Sequence, residues 1–108
     1  MSYPTLFTVP GVRDFATAVD EERTRQLARW GDQHHPDGTG PEAADWADRA
    51  REMCQQAARD GEMTWALILE EEVAEALAES DPTALRTELI QAAAVIAAWL
   101  HDLDRGPR

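Results

Sequence analysis

From Arg13 to Trp30 the apolar positions Phe15, Val19, Leu27 and Trp30, with Ala16 and Ala18 between them, follow a spacing closer to a helix than to a strand. Asp20, Glu21, Glu22, Arg23 and Arg25 give that helix a solvated outer face, and Gly31 ends it. A second helix is predicted from about Pro41 to about Arg59, with Trp46, Ala50, Met53, Cys54 and Ala57 as its apolar stripe. Asp60-Gly61 breaks it, and Thr64 caps a third helix that starts at Trp65 and runs to about Glu79. Ala66, Leu69, Val73, Ala76 and Leu77 make the core-facing stripe expected of this third helix. After the cap and first-turn proline of Ser80-Asp81-Pro82, a fourth helix is predicted to about Leu103. It is apolar around most of its circumference, so it is expected to be central or part of a subunit interface. The pattern therefore predicts an all-α protein: an extended arm over residues 1–12, one helical domain over 13–104 and a tail over 105–108.

Two acidic clusters interrupt the apolar pattern, and charge in such a place needs a reason. The first is Glu70-Glu71-Glu72-Val73-Ala74-Glu75, and the second, separated from Glu75 by twelve residues, is Glu88-Leu89-Ile90-Gln91. At about 100° per residue, Glu72, Glu75 and Glu79 fall in one sector of the third helix with Ile68, and Glu71 lies at its edge. Stacked carboxylates at this spacing repel each other by a few tenths of a kcal/mol per pair, so helix stability alone does not account for them. On the fourth helix Glu88, Gln91, Val95 and Trp99 share a face, and an unpaired buried Glu88 would be strongly unfavourable. An antiparallel hairpin of the two helices places Glu72 and Glu75 opposite Glu88 and Gln91. Three carboxylates and an amide so arranged are what a hard divalent cation asks for.

Charge narrows the partners. The chain of 108 residues carries 21 acidic and 10 basic residues, a net −11, and every basic residue is an arginine. Such a balance argues against binding nucleic acid through its phosphates and against an anionic membrane face. No stretch is expected to approach the roughly 18 to 20 apolar residues needed to span a bilayer, and the start Met1-Ser2-Tyr3-Pro4 does not read as a secretion signal. The single Cys54 forms no internal disulfide, so a reducing cytoplasm is the expected location.

The loop over residues 31–41 gathers Asp32, Gln33, His34, His35, Asp37 and Thr39 among three glycines and two prolines. It reads either as a solvated surface turn or as a flap that closes over an anionic ligand with imidazole and backbone donors. Adjacent His34 and His35 point different ways on most backbones and make a poor zinc pair. Other chemistries lack their residues: without lysine there is no phosphate-binding Gly-Lys-Ser/Thr loop, and neither serine stands in a nucleophile context.

Glu71-Glu72-x-x-Glu75, twelve residues, then Glu88-x-x-Gln91 resembles the EExxE…ExxD signature of the MazG-like all-α nucleoside triphosphate pyrophosphohydrolases. The flanking segments, Glu22-Arg23 with Arg29-Trp30-Gly31-Asp32-Gln33-His34-His35-Pro36 and Glu88-Leu89-Ile90-Gln91-Ala92, look like the small actinobacterial and phage members; together the likeness covers most of residues 20–103. The resemblance implies a four-helix bundle completed by oligomerisation as a homodimer or homotetramer. It also implies Mg²⁺, with Mn²⁺ as an alternative, held by Glu72, Glu75, Glu88 and Gln91. The implied reaction is hydrolysis of a nucleoside or deoxynucleoside triphosphate to the monophosphate and pyrophosphate. Glu72 and Glu71 are then the catalytic carboxylates, with Glu71 or another carboxylate near the metal ligands as proton acceptor. Arg25, Arg29, His34 and His35 are candidates for phosphate or base contacts, and Trp30 for stacking on the base.

The departure from the signature is Gln91, which stands where the family carries aspartate. A glutamine carbonyl can ligate Mg²⁺ but brings no charge, leaving three formal anions where four are usual. The alternative expectations are therefore a non-catalytic MazG-like module that binds nucleotides or a protein, and an acidic helical interaction protein without metal.

Overall fold

The computed structural model describes residues 8–107, so most of the arm expected over 1–12, and the last residue of the tail, lie outside the described residues. Among the described residues all regular structure is helical: α1 Val12–Trp30, a 3₁₀ turn Pro41–Ala43, α2 Ala44–Asp60, α3 Trp65–Ala78 and α4 Pro82–Asp104. They group into two compact units, one of residues 8–36 with 97–107 and one of residues 37–96; α4 runs through both.

Local chemistry accounts for where each helix begins and ends. Gly31 leaves α1 with φ 70°, and its amide donates to the Leu27 carbonyl at 2.8 Å. Gly61 takes the left-handed conformation after α2, and the next amide, Glu62, donates to the Ala57 carbonyl at 2.8 Å. Thr64 caps α3 by accepting from the Leu67 amide at 3.2 Å. Asp81 does the same for α4, accepting from the Ala84 amide at 2.9 Å, one residue before the first-turn Pro82. The Pro41 start expected for the second helix is a 3₁₀ turn instead, which leads into α2 three residues later.

In the unit of residues 37–96, α2 and α3 pack as an antiparallel pair. Ala47, Ala50 and Ala74 form its core, with Trp46 and Ala78 against it, and Ala74 is wholly inaccessible. Residues this small let two helices approach closely. The segment before α2 is tied to the end of α3: the Gly40 amide donates to the Leu77 carbonyl at 2.9 Å and the Thr39 hydroxyl to the Glu79 carbonyl at 2.6 Å. Those carbonyls would otherwise be left over at a helix C-terminus.

Two expected stripes hold in part. On α3, Ala76 is buried and Leu69 and Val73 are half-buried as expected, but Ala74 is the most buried residue and Ala66 and Leu77 are exposed. On α2, Ala50 and Cys54 are buried and Trp46 and Ala57 half-buried as expected, but Ala47 is buried as well and Met53 is 54% exposed. The alanines decide the face because they, not the larger side chains, allow the close approach.

In the unit of residues 8–36 with 97–107, α1 buries no residue fully; Val12, Phe15 and Ala16 are half-covered, and the Val19, Leu27 and Trp30 of its expected stripe are exposed in the single chain. Gly11 has φ 87°, and a Cβ there would lie 2.7 Å from the His101 side chain, so both backbone and space require glycine. Phe15, Leu100, His101 and Asp104 line a cavity of about 290 Å³ beside it.

Helix α4 buries Leu85, Ala92 and Ala97 but leaves Leu89, Ile90, Ile96, Leu100 and Leu103 exposed. Contrary to the expectation from sequence, its 23 residues are long and apolar enough, by length and composition alone, to cross a bilayer. Arg86, Glu88 and Gln91 stand in its first half.

Candidate functional site

Glu72 and Glu75 stand one turn apart on α3, and Glu88 stands on the second turn of α4. The capped turn of Glu79 to Asp81 folds the two helices so that one oxygen from each of the three carboxylates lies within 4.8 Å of the others. All three side chains are half-buried. Among the described residues they are the one group of this kind.

In this group Oε2 of Glu72 and Oε2 of Glu88 are buried and accept no hydrogen bond. A buried carboxylate oxygen without a donor carries an uncompensated desolvation penalty. Burial first, then the neighbouring charges of Glu88 and Glu71, holds the Glu72 carboxyl above the usual range. Glu75 is raised as well, by burial and then by Glu71, Glu72 and Glu88, and the Arg51 guanidinium opposes that rise. The cluster thus resists ionisation as it stands, and a cation would relieve it.

Hard carboxylate oxygens match a hard divalent cation rather than a thiophilic one. Octahedral ligands at about 2.1 Å from their ion are at most about 4.2 Å apart, so the observed spread closes with small side-chain rotations. The orphaned oxygens and the donor set together fit such an ion at Glu72, Glu75 and Glu88.

The site opens into a cleft of about 340 Å³ lined by Ala47, Arg51, Glu75, Ala78, Glu79 and Glu88. Arg51 is the residue that sequence reasoning missed. It projects from α2, with Nη1 3.1 Å from Asp48 Oδ1 and Nη2 3.8 Å from Glu75 Oε1. The signal that could have found it is the short connection between α2 and α3, whose antiparallel register sets position 51 opposite position 75. Glu71 faces Cys54: the hydrogen bond between them, then burial and the surrounding glutamates, push the Cys54 thiol up to about 11. Cys54 Sγ also lies 3.7 Å from Met63 Sδ. Glu70, the first of the acidic run, accepts from Trp46 Nε1 at 3.3 Å.

The remaining predicted residues are placed otherwise. Gln91 is exposed, one turn after Glu88. Arg25, Arg29, Trp30, His34 and His35 belong to the unit of residues 8–36 with 97–107, where all five are exposed. There Arg25 pairs with Glu22 at 2.9 Å, the Arg29 guanidinium sits over the Trp30 ring at 5.1 Å, and His34 Nε2 meets Asp32 Oδ2 at 3.0 Å. The loop of residues 32–39 forms no regular element, in keeping with Pro36 and Gly38 within it and Gly31 and Gly40 at its ends.

No family model matches this chain, and searches of curated proteins and of solved structures return no significant match.

Proposed function

We propose that the chain is a Mg²⁺-dependent nucleoside triphosphate pyrophosphohydrolase of the MazG-like kind. The observation that carries this reading is the pair of buried, donorless oxygens of Glu72 and Glu88 inside a three-carboxylate group. The resemblance of Glu71-Glu72-x-x-Glu75 and Glu88-x-x-Gln91 to the family's signature names the reaction. Glu72, Glu75 and Glu88 hold the ion. When bound, Mg²⁺ neutralises the triphosphate and acidifies a water poised to attack the α-phosphate. Glu71, half-buried at the edge of the cluster, accepts that proton. Gln91 supports the shell from the next turn as a neutral oxygen donor.

A homodimer or homotetramer completes the protein, with the exposed Leu89, Ile90, Ile96, Leu100 and Leu103 of α4 supplying the contact. The cytoplasm is the location consistent with the single, buried cysteine.

The test is pyrophosphate release from a panel of NTPs and dNTPs with Mg²⁺ or Mn²⁺. Turnover that vanishes in Glu72→Gln and Glu88→Gln is the expected result. No turnover in the natural chain, and none gained on Gln91→Asp, sinks the enzyme reading. One observation favours a second reading, a nucleotide-binding module without turnover: the neutral, exposed Gln91 leaves the cluster one charge short of the signature. Metal-dependent stabilisation without hydrolysis would select it.

A further inference from the structure

We propose that Arg51 is the anion contact of this site, the group that makes it take a divalent cation together with a phosphate chain rather than the cation alone. The assignment rests on the metal-binding reading of Glu72, Glu75 and Glu88 and adds the residue that selects the ligand's phosphates.

Arg51 is the one cationic residue among those lining the 340 Å³ cleft, where it stands with Glu75, Glu79 and Glu88. Its guanidinium is oriented from behind: Nη1 is held by Asp48 one turn earlier on α2, at 3.1 Å. Nη2 is aimed at Glu75 Oε1 but stops at 3.8 Å, beyond hydrogen-bond reach. An arginine recruited only to neutralise Glu75 would close that gap into a bidentate pair, the favoured geometry of guanidinium with carboxylate. Here Nη1 is engaged by Asp48, Nη2 stops short of Glu75, and Arg51 lines the cleft. A phosphate group entering beside Glu75 comes within reach of guanidinium donors whose planar spacing suits its oxygens.

Charge separates this role from a merely structural one. Before any ligand binds, the guanidinium, 3.8 Å from Glu75 Oε1, partly compensates the charge of the cluster. A divalent cation arriving alone at the carboxylates is repelled by Arg51. A cation arriving with a pyrophosphate or triphosphate chain brings the anion that Arg51 lacks, and the repulsion becomes attraction. Arg51 therefore opposes the bare ion and favours the ion–phosphate pair, a coupling between the two ligands that is reciprocal by necessity.

Mn²⁺ and inorganic pyrophosphate are the probes. Binding of Mn²⁺ alone is followed by calorimetry or by its electron paramagnetic resonance signal, and pyrophosphate binding is followed at saturating Mn²⁺. In Arg51→Gln, Mn²⁺ alone binds at least as tightly as to the natural chain, while pyrophosphate affinity falls tenfold or more. Arg51→Lys, which keeps the charge but not the fork, falls between the two. Parallel loss of both affinities would assign Arg51 a structural role, and unchanged pyrophosphate affinity with Mn²⁺ binding retained would remove it from the site. Failure of the natural chain to bind Mn²⁺ would overturn the metal reading itself, and this assignment with it.

Discussion

Glu72 of α3 and Glu88 of α4 each turn an Oε2 atom into a buried position with no donor to meet it, and the two carboxylates stand within ligand reach of one another and of Glu75. Each glutamate by itself is an ordinary helix residue. Across the α3–α4 turn they form a strained, half-buried pair of anions whose relief requires a proton or a cation.

Divalent cation binding is therefore expected to stabilise the protein. At a free Mn²⁺ or Mg²⁺ concentration a hundredfold above Kd, linkage gives about 2.7 kcal/mol, which raises Tm by roughly 10 °C or more in a domain of this size. Glu88→Gln removes one of the repelling charges, so its metal-free Tm is expected at or above that of the natural chain and its metal response strongly reduced. Thermal melts with and without the ion measure both. A Glu88→Gln variant that keeps the full metal response would contradict the site.

Acidification should favour the metal-free fold through the same cluster. The carboxyls of Glu72 and Glu75 titrate above their ordinary value in the folded state, so the folded chain holds these protons more tightly than the unfolded chain. Their destabilising contribution is full above the folded pKa values and is relieved as pH falls through them toward the ordinary carboxylate range. Urea midpoints from neutral pH down to about pH 5 should show Glu72→Gln more stable than the natural chain at the top and the difference shrinking toward the bottom. A difference that grows on acidification would reverse the sign of the argument. Metal binding in the same range is expected to release protons, visible as a dependence of the calorimetric heat on buffer ionisation.

Cys54 should be chemically silent in the native state. With its thiol pushed up to about 11 by Glu71 and burial, almost no thiolate exists near neutral pH. Labelling by a disulfide reagent at pH 8 should be slow and should accelerate in urea in step with loss of helical circular dichroism. Native-state labelling at the rate of a free cysteine would show that the α2–α3 seam opens readily.

Gly11→Ala should destabilise by more than about 1 kcal/mol, because the residue sits at φ 87° and the added methyl meets His101 at 2.7 Å. Gly11→Ala with His101→Ala removes the ring atoms at 2.7 and 2.8 Å but keeps the His101 Cβ at 2.7 Å and the positive φ, so the double variant should recover only part of the loss. Denaturant unfolding of the four chains gives the coupling; strict additivity would deny the contact. Thr64→Ala, by comparison, removes one cap on α3 and should cost about 1 kcal/mol.

What the chain determined by itself was the set of helices and their ends. Gly31, Thr64, Asp81 and Pro82 act on backbone groups within a few residues of themselves, so their effect is readable without any partner. The i, i+3 spacing of Glu72 and Glu75 is likewise a property of one helix. The tertiary structure alone decided which faces were used. Periodicity marked Leu77 and Met53 for burial, but a seam between helices forms where the backbones come closest, and that is at Ala47, Ala50 and Ala74. It also decided that Glu88 closes to within ligand reach of Glu72 and Glu75, a meeting that the short turn between their helices leads one to expect, and that Arg51 on α2 comes within 3.8 Å of Glu75, which no residue pattern singled out. A helix's sequence states how its side chains are spaced around its axis, whereas which of them meet is set by the close packing of another helix against it.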